Sequence, residues 1–282
     1  MKKLNNFTQR TLSGAAYVAV VVGSILFWHK GLFFALSAVL AILAVREYNR
    51  LTHPRCPVDI LSEIGALLLC GAVEAWLLLE MPPFNYLTAA YILVLLAAIL
   101  IELWQKESNP FIYWGNLLIS QVMIALPFAL MNMLNYMSNY LLLAIFVLIW
   151  VNDSGAYCVG VLTAKRAKGN HKMFPRVSPK KSWEGLIGGI VLAMGVGALL
   201  AHFGWFEAIH TGLNQYIVGI LIALIIAVAG TLGDLVESLM KRSVGVKDSG
   251  KFLPGHGGVL DRFDSILLAA PVTLLFVLML TL

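Results

Sequence analysis

Nine long apolar stretches, joined by short polar connections, constrain this chain more than any other feature. They fall at about 11–28, 31–45, 60–79, 86–104, 112–131, 139–157, 185–205, 215–238 and 264–282. A helix that crosses the hydrocarbon core of a bilayer needs about 20 mostly apolar residues. The second stretch is short, and reads either as a tilted span or as a re-entrant hairpin with the first. Composition agrees with a membrane chain. Of 282 residues, 60% are hydrophobic and 12% charged, where a soluble domain has about 45–50% and about 25%. A water-soluble globular fold is excluded, and so is disorder, because apolar surface is abundant. The expected fold is an all-α polytopic membrane protein with about nine transmembrane helices. The three cysteines, Cys56, Cys70 and Cys158, form no CxxC pair, which argues against a disulfide framework or a zinc cluster. Lys2, Lys3 and Arg10 precede the first stretch as in a signal peptide. No small-x-small cleavage site follows them, so the stretch reads as an anchor.

Positive charge sets the expected orientation. With all nine stretches crossing, nineteen of the twenty Lys and Arg residues fall on the side of the N-terminus and only Lys30 on the other. Lys and Arg in short loops favour the cytoplasm. The N-terminus is therefore expected inside and the C-terminus outside, in the cytoplasmic (inner) membrane of the cell. The expected organisation is residues 1–140 as N-terminal membrane helices and 141–282 as a catalytic region. That region carries cytoplasmic loops at 158–184 and 240–263.

Polar residues concentrate in two places. The first runs from Asn152-Asp153 to Glu184-Gly185, with Ser178-Pro179-Lys180-Lys181-Ser182 at its end and no acidic residue between Asp153 and Glu184. Its Lys165–Lys172 part reads equally as a loop that sets topology and touches anionic membrane lipids. In the Ser178–Glu184 part, lysines sit beside a helix start, a combination that attracts anions. Asn152, Asp153, Ser178, Lys180, Lys181 and Glu184 are therefore candidate substrate-binding residues. The second place begins inside an apolar helix, where Asp234, Glu237, Ser238 and Lys241 share one face by their i, i+3, i+4, i+7 spacing. Carboxylates at the membrane boundary are costly and usually functional. The bland reading is pairing of Asp234 and Glu237 with Lys241 and Arg242. Beyond it, Lys247-Asp248-Ser249-Gly250 leads into Gly255-His256-Gly257-Gly258 and Asp261-Arg262-Phe263-Asp264. A glycine-rich turn among cations suits phosphate oxygens held by backbone amides.

A polyanionic ligand fits these cations, but carboxylates repel phosphate and need a cation between. Mg²⁺ is hard, prefers oxygen and is commonly held by carboxylates plus substrate phosphates. Asp234 and Asp261 are the expected pair of ligands, with Glu237 as a third and a second cation possible in principle. His256 reads either as a phosphate ligand or as a capping residue. The chemistry reached from residues alone is metal-dependent phosphoryl or nucleotidyl transfer from a soluble nucleotide to a lipid.

The run from Ser238 through Lys241-Arg242, Lys247-Asp248, Gly250 and Leu253-Pro254-Gly255-His256-Gly257-Gly258 to Asp261-Arg262-Phe263-Asp264 resembles the signature of the phosphatidate cytidylyltransferases (CDP-diacylglycerol synthases). Ser178–Gly185 and Asn152-Asp153 resemble further motifs of that family. The resemblance covers most of the C-terminal half, while residues 1–140 match only in hydrophobicity. It implies that CTP and phosphatidate give CDP-diacylglycerol and pyrophosphate, with Mg²⁺ required. Asp234 and Asp261 then correspond to carboxylates of a two-cation centre. Lys241, Arg242, Lys247 and Arg262 answer phosphate charge, while His256, Gly257 and Gly258 form a phosphate cradle. Lys180 and Lys181 hold the triphosphate or the lipid phosphate. Ser238, Asp248 and Asp264 join the substrate-binding set. The family also implies a homodimer, and no nucleic-acid partner is expected. Two other classes stay open: a CTP-dependent lipid kinase of the polyprenol or phytol type, and a transporter. The charges gather at one surface and no repeat is visible, which counts against the transporter.

Overall fold

The computed structural model describes residues 6–27, 30–52, 56–105, 109–165, 169–250, 252 and 257–281. His256, expected in the phosphate cradle, lies outside the described residues. The chain is mostly helical: α1 (Asn6–Leu26), α2 (Lys30–Thr52), α3 (Pro57–Leu78), α4 (Tyr86–Ile101), α5 (Pro110–Ile119), α6 (Leu126–Met137), α7 (Asn139–Ala164), α8 (Trp183–His202), α9 (Gln215–Ser243), α10 (Leu260–Phe263) and α11 (Ile266–Thr281). Among the described residues, eight helical stretches are long and apolar enough to cross a membrane, and Thr11–Leu26 adds a shorter apolar one. These match the nine stretches of the sequence, and the protein is a multi-pass membrane protein. α5 and α6 form one such stretch through a π-helical segment at Ser120–Ala125.

Two local features exceed what hydropathy shows. The second stretch is not short, because helix α2 continues past its apolar part through Arg46-Glu47-Tyr48-Asn49-Arg50. Glu47, Tyr48 and Asn49 are buried there. Asn49 Nδ2 donates to Ser62 Oγ on α3 at 3.0 Å, so polar residues extend the packed face. The first polar segment is also more ordered than a plain loop. α7 runs on to Ala164, and strand β1 (Lys172–Phe174) pairs antiparallel with β2 (Ser178–Ser182), setting Lys172 opposite Ser182. Ser182 closes β2 and caps α8, its Oγ accepting from the Gly185 amide at 3.2 Å. Ser at this position satisfies an amide that the first helical turn otherwise leaves without a partner.

The chain forms two compact units. One comprises residues 1–136 and 246–263, and the other 137–245 and 264–282. In the second unit α7 packs on α8, α8 on α9, and α9 on α11. Leu142, Ile145 and Leu148 of α7 meet this core with Ile222 and Ile226 of α9, all fully buried. α9 passes close to the turn before α11. A Cβ on Gly233 would stand 2.6 Å from the Asp264 carbonyl oxygen and 3.0 Å from that of Ser265. Both obstacles are backbone and neither can swing aside. Gly233→Val is therefore expected to cost roughly 1–3 kcal/mol, as overpacking does. The loss should appear as a lower unfolding temperature of the detergent-solubilised protein.

Candidate functional site

The site of the second unit grows from α9. Its turn 234–241 places Asp234, Glu237, Ser238 and Lys241 on one face, as the spacing requires. Ser238 Oγ donates to Asp234 Oδ1 at 3.2 Å. Lys241 Nζ lies 2.6 Å from Glu237 Oε2, and the Glu237 side chain is wholly excluded from solvent. A carboxylate at that depth needs a charged partner, and the lysine one turn on supplies it. Asp234 keeps partial access to solvent, and its Oδ2 lies 2.6 Å from Nζ of Lys181 on β2. The same ammonium donates to the Thr231 carbonyl at 3.5 Å. Local pairing therefore holds for Glu237, whereas the charged partner of Asp234 comes from more than fifty residues upstream.

The close approach at Gly233 brings a third carboxylate in. Ligand oxygens of Asp234, Glu237 and Asp264 all lie within 4.8 Å of one another. Asp264 Oδ1 also accepts from the Ser265 amide at 2.6 Å. Three carboxylates around one point form an all-oxygen donor set, which fits a hard divalent cation such as Mg²⁺. Beside this cluster opens a pocket of about 240 Å³, lined among others by Asp153, Tyr157, Lys180, Lys181, Thr231 and Asp234. Asn152 lies behind it, buried, its Nδ2 donating to Thr231 Oγ1 at 3.2 Å. The hairpin thus delivers two lysines to a wall that α7 and α9 supply with carboxylates. Ser178 is half-buried at the start of β2. Glu184 has a holding role in the fold, because its carboxylate accepts from the His171 amide at 3.0 Å and lies 2.6 Å from His171 Nδ1.

The rest of the signature run belongs to the first unit. Asp261 is buried, and its Oδ2 accepts from the amides of Ser249 and Gly258, each at 2.8 Å. Gly257 adopts φ of +85°, a conformation that glycine reaches without strain. The Gly258 amide, expected to face phosphate, donates to Asp261. Lys247, Asp248 and Arg262 are exposed, as is Arg242 of the second unit. Tyr17 of α1 donates through its hydroxyl to the Arg262 carbonyl at 3.5 Å.

Sequence reasoning missed Thr231, His171 and above all Glu47. Thr231 had a local signal, lying three residues before Asp234 on the same helical face. Glu47 had none, because its partners lie 202 to 213 residues away.

A sequence model described as the Cytidylyltransferase family matches residues 8–280. The chain belongs to this family. A phosphatidate cytidylyltransferase of Haemophilus influenzae strain Rd is 34% identical, over 93% of this chain and 96% of its own length. Proteins of the same name from Bacillus subtilis strain 168 and Staphylococcus aureus strain COL are 34% and 32% identical over 93% of this chain, covering 94% and 96% of their lengths. These matches take in the N-terminal membrane helices as well, where the sequence alone suggested only shared hydrophobicity.

Proposed function

We propose that this chain transfers the cytidylyl group of CTP to phosphatidate, forming CDP-diacylglycerol and releasing pyrophosphate, at the cytoplasmic surface of the inner membrane. The observation that carries this reading is the Asp234–Glu237–Asp264 cluster beside a pocket walled by Lys180 and Lys181, in a chain whose near relatives bear that enzyme's name. The orientation rests on the lopsided distribution of Lys and Arg.

Each group has a task in this reading. Asp234, Glu237 and Asp264 would hold Mg²⁺, which would offset charge on the nucleotide phosphates. Lys180 and Lys181 neutralise negative charge on the triphosphate, including that developing on the departing pyrophosphate. Lys241 holds the Glu237 carboxylate in its buried position through their 2.6 Å contact. A phosphate oxygen of phosphatidate attacks the α-phosphorus of CTP, the bond to the β-phosphate oxygen breaks, and pyrophosphate leaves. The attacking phosphate monoester is already largely ionised near pH 7, as its second pKa of about 6 dictates, so no strong general base is needed. The acyl chains stay in the bilayer while the headgroup meets the soluble nucleotide.

The test uses the purified full chain in mixed micelles with phosphatidate and CTP labelled at the α-phosphate, across a Mg²⁺ titration. Label should pass into CDP-diacylglycerol with one pyrophosphate released per turnover, and EDTA should abolish it. Release of labelled CDP with a newly phosphorylated lipid would instead identify a lipid kinase.

A further inference from the structure

Glu47 sits on α2 in the first unit, far in sequence from every motif, and is buried to 9% exposure. Among the described residues, three groups hydrogen-bond its carboxylate, and all are donors. The Val259 amide donates to Oε1 at 3.0 Å, the Leu260 amide to Oε2 at 2.9 Å, and the Ser249 hydroxyl to Oε2 at 3.1 Å. Ser249 is held a second time, because its amide donates to Asp261 Oδ2. Gly258 is held by the same oxygen. Glu47 and Asp261 therefore grip the two ends of the 249–261 segment and share Ser249 between them. Glycines make room for this grip. A Cβ on Gly258 would collide with Glu47 Oε2 and Ser249 Oγ, and one on Gly250 would stand 2.5 Å from Glu47 Oε1. Placing a carboxylate on a membrane helix costs free energy. The Ser249, Val259 and Leu260 donors offset that cost only while they stay in these positions.

We infer that Glu47 is a positioning residue for the reaction, setting the conformation of the Gly257–Asp261 segment through the Val259 and Leu260 amides and the Ser249 hydroxyl. The inference rests on the proposed activity, since it assigns Glu47 to the signature loop of that reaction. The effect of Glu47 reaches Asp261 through the residues it holds.

Glu47→Gln is the sharpest variant. Its single amide oxygen can serve only one side of the grip, and the amide N–H₂ then faces donors on the other. Hydrogen bonds to charged groups of this kind are strong enough that losing one slows a reaction that depends on them about tenfold or more. Two readouts are taken on the full chain in detergent: turnover with CTP and phosphatidate, and amide hydrogen exchange at Ser249 and 258–260. The expected result is a fall in kcat of about tenfold or more, with exchange faster at these amides and unchanged in α7–α9. The inference is overturned if the Val259 and Leu260 amides exchange as slowly as in the unsubstituted protein. It is equally overturned if exchange quickens while turnover stays within twofold. Should the variant fail to fold, Ser249→Ala removes one of the three bonds, and unchanged turnover there overturns the inference. Inactivity of the unsubstituted protein would count against the proposed activity, and exchange would still decide whether Glu47 holds the loop.

Discussion

Asp234→Asn is expected to abolish CTP- and Mg²⁺-dependent formation of CDP-diacylglycerol, lowering turnover by at least about a hundredfold, the upper end of what removing a metal's outer-shell partner costs. The substitution preserves shape, and an asparagine can still accept from the Ser238 hydroxyl. What disappears is the charge that answers Lys181 at 2.6 Å and that joins Glu237 and Asp264 around one point. With that charge gone, the Lys181 ammonium stands beside a weakened acidic cluster and opposes any cation there. Raising Mg²⁺ should therefore fail to restore the rate. Isothermal titration of Mg²⁺ into the purified variant, run beside the activity assay, checks the cause. Near-normal turnover, or Mg²⁺ binding as tight as in the unsubstituted protein, removes Asp234 from the cation site.

Asp261→Asn and Asp261→Ala are expected to separate two jobs of one carboxylate. Oδ2 of Asp261 accepts both the Ser249 and the Gly258 amides. An asparagine oxygen can take that position and accept both, so the loop should keep its conformation while the negative charge is lost. Turnover should still fall by about a hundredfold if the charge serves the reaction, with hydrogen exchange at Ser249 and Gly258 unchanged. Alanine leaves both buried amides without an acceptor, at about 1–3 kcal/mol for each unsatisfied group. It should lower both turnover and the unfolding temperature. Full activity of the asparagine variant would confine Asp261 to holding the loop.

The membrane architecture was legible because lipid imposes a one-dimensional rule. Spans need apolar length, and the nine stretches and the helices coincide for that reason. The helical face of Asp234, Glu237, Ser238 and Lys241 was legible from spacing, and the Lys241–Glu237 pair follows from it. The signature run announced the family before any geometry. What spacing could not supply were partners distant in the chain. Lys181 reaches Asp234 only because a short hairpin turns the basic loop back onto α9. Asp264 joins Asp234 and Glu237 because a glycine at 233 lets α9 meet the turn before α11. Glu47 finds the Ser249–Leu260 loop across more than two hundred residues. The sequence by itself determined which segments enter the bilayer, which residues carry charge at its surface and what chemistry they suit, since hydrophobic length and helical period are local properties. Only the tertiary structure decided which charges meet, because ion pairs and buried hydrogen bonds depend on ångström separations that the packing of distant helices sets.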